Sequence, residues 1–194
     1  MKIEKVCIYC ASSKQIDRDY ITDVVELGKI LALEHIEVIY GGGSVGAMGA
    51  LADAVLENNG RIIGVIPKFM MELEWGNPHI TQLIVVENMA ERKQQFINSV
   101  DAVIALPGGT GTLEELAEVI SLKKLGLFTK PIIILNTKGF YDTLIQFIDR
   151  MISDNFIRDE HRNIFSVINK PDEVIKAINN APLWDDSARD LAAL

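Results

Sequence analysis

With 194 residues, 48% apolar and 24% charged, the chain is the size of one domain and can bury a sizeable core. No apolar run approaches the roughly 18–20 residues of a membrane span. Met1-Lys2 leads straight into a strand-like pattern without a secretory signal, so a cytoplasmic location is expected. Asp and Glu outnumber Lys and Arg by 27 to 19, a formal charge of −8. That field repels polyanions and argues against extended DNA or RNA binding, but a small phosphate ester held by main-chain amides remains compatible with it.

Short runs rich in Val and Ile alternate with amphipathic segments, the pattern of repeated βα units. The first strand, Val6–Cys10, carries both cysteines in a Cys-x-x-Cys spacing. Residues three apart on a strand point to opposite faces. His35, His79 and His161 are scattered without ligand spacing, so the cysteines read as core and no metal is expected. Nor is a disulfide expected in a reducing compartment. The loop Cys10-Ala11-Ser12-Ser13 is built of small residues that admit a ligand to the backbone, and it equally suits an ordinary helix cap.

A helix is predicted over Ile16–Leu33 and a strand over Glu37–Tyr40. Tyr40 runs into Gly41-Gly42-Gly43-Ser44-Val45-Gly46-Ala47-Met48-Gly49, which contains a formal Gly-x-Gly-x-x-Gly at the start of a helix predicted over Ala47–Asn59. Glycines permit close backbone approach, and a helix N-terminus offers amides to an anion. A dinucleotide site also wants an acid about 20 residues on, after the next strand. That strand, Ile62–Ile66, ends Ile66-Pro67-Lys68 without a carboxylate, which weakens a nicotinamide dinucleotide reading.

After the strand Leu83–Val86, a helix predicted over Met89–Val100 opens with Met89-Ala90-Glu91-Arg92-Lys93. Arg92 faces either a ligand, whose phosphate or carboxylate its guanidinium suits, or solvent beside Lys93. The strand Ala102–Leu106 then enters Pro107-Gly108-Gly109-Thr110-Gly111-Thr112-Leu113-Glu114-Glu115, a second strand–glycine–helix arrangement. It lacks the Gly-Lys-Ser/Thr of a Walker loop. The amides of Gly108 through Thr112 and the hydroxyls of Thr110 and Thr112 suit a single phosphate. Thr112-Leu113-Glu114-Glu115 also spells a capping box, with Thr112 as N-cap and Glu115 returning to its amide. A carboxylate there is expected to stay ionised, so a cap and a ligand contact are compatible.

The remaining predicted elements are helices over Leu113–Leu125, Phe140–Ser153 and Pro171–Asn179 and strands over Ile132–Leu135 and Ile164–Val167. Nearly all-apolar strands imply a mostly parallel α/β sheet with helices on both faces, a single Rossmann-like doubly wound domain over residues 1–180. Ligands gather at the carboxyl ends of such strands. Residues 181–194 read as a frayed tail with no assigned role.

Together, Cys10-Ala11-Ser12-Ser13, Tyr40–Gly49, Met89-x-x-Arg92-Lys93 and Pro107–Glu115 resemble the Lonely Guy (LOG) family. Its members are phosphoribohydrolases that release cytokinin bases from nucleoside monophosphates, and many carry an older "lysine decarboxylase" label. The likeness continues through Leu125-Gly126 and Lys130-Pro131 and so covers most of the chain. Its most specific part is Pro-Gly-Gly-x-Gly-Thr-x-x-Glu paired with the upstream Arg-Lys. The resemblance implies Arg92 and Glu115 as the catalytic pair and Gly108, Gly109, Thr110, Gly111 and Thr112 as the phosphate site. It also implies substrate contacts at Ser12, Gly42, Gly43, Met48, Lys93 and Glu114. Glu74, in Glu74-Trp75-Gly76-Asn77-Pro78, matches a family acid near the substrate, and Ser121 falls where relatives often have threonine. Ser121-Leu122-Lys123-Lys124-Leu125-Gly126 departs from the Thr-Trp-x-Gln-Leu-Gly of many cytokinin-producing members, which bears on base preference. A homodimer without a cofactor is implied.

On this resemblance the expected reaction is hydrolysis of an N-glycosidic bond to free base and ribose 5-phosphate. Glu115 offsets positive charge on the ribose and Arg92 orients the substrate. Pyridoxal chemistry needs a Schiff-base lysine and an acid for the pyridine nitrogen, and no residue pattern nominates them. The competing class is a non-enzymatic nucleotide or cofactor carrier, such as a molybdenum cofactor carrier, which shares the general architecture. A passive carrier has no need of a carboxylate beside the sugar.

Overall fold

The structure, a computed structural model, describes residues 2–72 and 76–185. Seven strands form one all-parallel sheet: β1 (Lys5–Tyr9), β2 (Glu37–Tyr40), β3 (Ile62–Pro67), β4 (Gln82–Val86), β5 (Ala102–Ala105), β6 (Ile132–Leu135) and β7 (Ser166–Ile168). Their order is β4-β3-β2-β1-β5-β6-β7, so the winding reverses between β1 and β5. The expected α/β Rossmann-like sheet is thus present, and its crevice opens at the carboxyl ends of those two central strands.

The helices are α1 (Arg18–Leu33), α2 (Gly46–Glu57), α3 (Lys68–Glu72), α4 (Met89–Ile97), α5 (Thr110–Lys124), α6 (Asp142–Ser153) and α7 (Val174–Asn180). Leu27, Leu31, Leu51, Val55, Val174 and Ile178 from α1, α2 and α7 cover one face of the sheet. Phe96, Leu116 and Val119 from α4 and α5 cover the other. Alternation along β1 sends Cys7 into the second layer and Cys10 toward the first, so the two free thiols lie in separate packing clusters, as expected.

Several boundaries differ from expectation for local reasons. Asp17 caps α1, its Oδ1 accepting from the Asp19 amide at 2.9 Å, so the helix begins two residues after Ile16. The helix α4 stops at Ile97 rather than Val100, because Asn98 is extended and Ser99 adopts φ 61°. Residues Asp159–Asn163 close into a 3-10 turn that delays β7 to Ser166. The five-residue α3 has no counterpart among the predicted elements, being too short to show a helical period. Beyond α7, Trp184 is not frayed: its Nε1 donates to the Lys123 carbonyl at 2.8 Å and its ring lies against the Lys123 ammonium and His161. Among the described residues, no helix is long and apolar enough to cross a membrane.

Candidate active site

A cavity of about 420 Å³ opens at the winding reversal. Its walls are Cys10, Ala11 and Ser12 after β1, Gly41, Gly43, Val45 and Met48 around the β2–α2 turn, and Ile66 and Met70 from β3 and α3. Gly109 through Thr112 and Glu115 of α5, with Arg92 of α4, complete it.

Asn88 builds the start of α4: its Oδ1 accepts from the Glu91 amide at 2.9 Å, and the Glu91 carboxylate accepts from the Glu87 amide at 3.0 Å. The next residue, Arg92, is then aimed inward and is only 5% exposed. Its Nε donates to the Val65 carbonyl and a terminal nitrogen to the Gly41 carbonyl, both at 3.0 Å. These are carbonyls at the ends of β3 and β2, so the sheet itself holds the guanidinium. A Cβ on Gly41 would sit 2.5 Å from that nitrogen and 2.9 Å from the Met48 methyl, so a side chain there displaces the guanidinium or Met48. Arg92 therefore lines the cavity and does not stand in solvent beside Lys93.

Glu115, 7% exposed, faces Arg92 with its Oε1 3.8 Å from the guanidinium. Burial raises its carboxyl to about 7, outweighing the opposing attraction of Arg92; neighbouring Glu114 adds to the rise. Burial likewise lowers Arg92 from its ordinary value, with Glu115 opposing that shift. Desolvation thus works against the helix N-terminus that was expected to keep Glu115 ionised. The capping box is overturned. The cap of α5 is Gly109, helix begins at Thr110, and Thr112 lies inside the first turn while Glu115 turns to Arg92.

The first-turn amides of α5 have no acceptor within the helix, and the residues that carry them line the cavity. A side chain on Gly108 would collide with Thr112, so this glycine lets Thr112 pack closely beneath the loop. The β2–α2 loop is less free to take an anion than its glycines suggested. The Met48 amide is spent on the Ala11 carbonyl at 3.1 Å and the Gly49 amide on the Val45 carbonyl at 3.2 Å.

The cavity thus brings together Ser12, Gly43, Met48, Arg92, Gly109, Thr110, Gly111, Thr112 and Glu115. Gly108 stands just behind that wall. Gly42 is not part of the lining; it packs toward Gly64 of β3. Lys93 instead pairs with Glu114 and Glu118 at 2.5 and 3.0 Å on the outer side of α4 and α5. Ser121 is exposed there too, its hydroxyl donating to the Ala117 carbonyl. Glu74 lies outside the described residues. The apolar wall of Val45, Ile66 and Met70 was not foreseen: Met70 belongs to the unpredicted α3, Ile66 was read as a strand end, and Val45 stood in the glycine loop without a role of its own.

A family model described as "possible lysine decarboxylase" matches residues 48–178. A cytokinin riboside 5′-monophosphate phosphoribohydrolase of Oryza sativa subsp. japonica is 40% identical over 192 residues, covering 95% of this chain and 79% of that protein. One of Arabidopsis thaliana is 39% identical over 177 residues, covering 91% and 82%. Among solved structures, the molybdenum cofactor carrier protein of Chlamydomonas reinhardtii superposes with a TM-score of 0.71 at 20% identity, over 92% of this chain and 98% of that one. A molybdenum cofactor binding protein from Rippkaea orientalis gives 0.68 at 22%, over 92% and 97%. At such identities the solved structures show a common fold, whereas the sequence relatives show kinship: the chain belongs to the Lonely Guy (LOG) family.

Proposed function

We propose that the chain hydrolyses the N-glycosidic bond of a purine nucleoside 5′-monophosphate, releasing free base and ribose 5-phosphate. The observation that carries this reading is a carboxylate and a guanidinium, both nearly dry, in one cavity with the open amides of a helix N-terminus. The amides of Gly109 through Thr112 take the 5′-phosphate, and this remote grip sets the anomeric carbon before Glu115. As the C1′–N bond breaks, the electron pair leaves with the base and positive charge grows on the ribose. Ionised Glu115 stabilises that charge, and water then delivers hydroxide to C1′ and a proton to the base. Arg92 orients the substrate on donors that its two carbonyl contacts leave free. A Schiff-base role finds no support at this site, since the buried Lys123 donates to the Lys130 carbonyl and is not part of the cavity wall.

Cytoplasmic residence and a homodimer complete the proposal. Glu114, Glu118, Ser121 and Leu125 recur along one outward stripe of α5 beside Lys93, and half-exposed Leu113 adjoins it. A second copy covering this stripe gathers residues that a single copy leaves outside the cavity. The test of the activity is incubation with a panel of nucleoside 5′-monophosphates, including adenosine and cytokinin forms, with detection of free base and ribose 5-phosphate. Release from monophosphates but not from the matching nucleosides supports the reading. Equal release from both contradicts the phosphate grip, and an intact nucleotide retained without turnover favours a carrier.

A further inference from the structure

A buried arginine needs partners that hold its charge without consuming every donor. Arg92 has two carbonyls, at Val65 and Gly41, and a weak contact from a terminal nitrogen to the Met89 sulfur at 3.9 Å. Its countercharge Glu115 stands 3.8 Å away, longer than a hydrogen bond. Underneath lies Phe96, one helical turn on along α4 and 1% exposed, with its ring centroid 5.1 Å from the guanidinium carbon. The Tyr9 ring, 5.7 Å from that of Phe96 and tilted by 57°, backs it from β1.

We infer that Phe96 is a positioning residue for the reaction: its ring face steadies the Arg92 guanidinium in the orientation that faces Glu115 and the substrate. The inference rests on the assignment of Arg92 and Glu115 proposed above. The physical case is one of chemistry as well as distance. A carboxylate at this place would take up N–H donors and turn them from the cavity. An aliphatic side chain would fill the space but leave the buried cation without electrostatic support. An aromatic face attracts the cation through its quadrupole and uses no hydrogen-bond donor, so the edge of the guanidinium stays available to ligand. The two carbonyls hold one side of the group, and the ring lies beneath it.

Graded fluorination separates this role from packing, because it drains the ring face while changing volume little. Variants carrying phenylalanine, monofluoro-, difluoro- and trifluorophenylalanine at position 96 would be assayed as full-length protein for kcat, KM and melting temperature. The expected result is a stepwise fall in kcat/KM, about tenfold at the trifluoro member, with melting temperature nearly constant. The acid limb of the pH profile should also move upward as Arg92 loosens from Glu115. The other groups facing Glu115 are Lys93 from α4, Glu114 and Glu118 from α5, Cys7 and Tyr9 from β1 and Cys10 just after it, and all are unaltered in the series. Phe96→Leu should show the same loss. Arg92→Ala, measured alongside, separates the two layers of the argument. A flat fluorine series with a crippled Arg92→Ala overturns the role of Phe96 alone. Unchanged kcat/KM in Arg92→Ala overturns the underlying assignment and this inference with it, and losses that merely track melting temperature reduce Phe96 to packing.

Discussion

Burial decides what Arg92 and Glu115 can do. A carboxyl raised to about 7 is only partly ionised at neutral pH, and the proposed role requires the ionised form. The sign follows directly: activity is gained as pH rises through the raised value. The limb of kcat/KM should therefore climb between roughly pH 6 and 8, a window set by Glu115; a fall across that window would make Glu115 a proton donor instead. The ion pair also explains a glycine. Gly41→Ala places a methyl group 2.5 Å from the Arg92 nitrogen and should cut kcat/KM by about tenfold or more by pushing the guanidinium aside, as steady-state kinetics would show. At this scale the sequence was legible for residue type but not for direction. The letters Arg92-Lys93 do not say which of two neighbouring cations turns inward; the Asn88 cap and the carbonyls at the ends of β2 and β3 do.

The helix α5 joins the two ends of the protein's polar chemistry. At its start lie the open amides and Glu115; at its end Lys123, 1% exposed, donates to the Lys130 carbonyl at 2.9 Å beneath the Trp184 ring. Burial lowers the Lys123 ammonium to about 8. Trp184→Ala should cost about 2 kcal/mol in urea unfolding, since a half-buried indole and its hydrogen bond are lost. It should also return Lys123 toward its ordinary titration range, visible in its reactivity toward an amine reagent. The capping motif at Thr112–Glu115 misled because its spacing is a local signal, and the glycine before Thr110 allowed the helix to begin earlier. The same limitation hid α3, whose five residues carry Met70 into the cavity wall without any period to reveal them. Trp184 likewise gave no local sign, because its partners Lys123 and His161 lie 61 and 23 positions upstream.

At the scale of the molecule, strands read from apolar runs fell close to their observed places, because a sheet buried on both faces needs such runs. Strand order was not in those runs. The reversal between β1 and β5, which makes the crevice, emerges only when the helices are laid on their two faces. The outward stripe on α5 leads to a prediction at this scale. Sedimentation should give twice the 21.5 kDa chain mass, and Leu125→Glu should return the protein to a monomer with weakened turnover. A wild-type monomer with full activity would refute the dimer.

The most direct measurement of the central claim is the turnover of Glu115→Gln beside its affinity for ribose 5-phosphate. The amide keeps the shape of the side chain but cannot offset charge at the anomeric carbon. Turnover of a nucleoside monophosphate should fall by about a thousandfold or more, while ribose 5-phosphate binds within about threefold of wild type. Near-normal turnover in this variant would contradict the account.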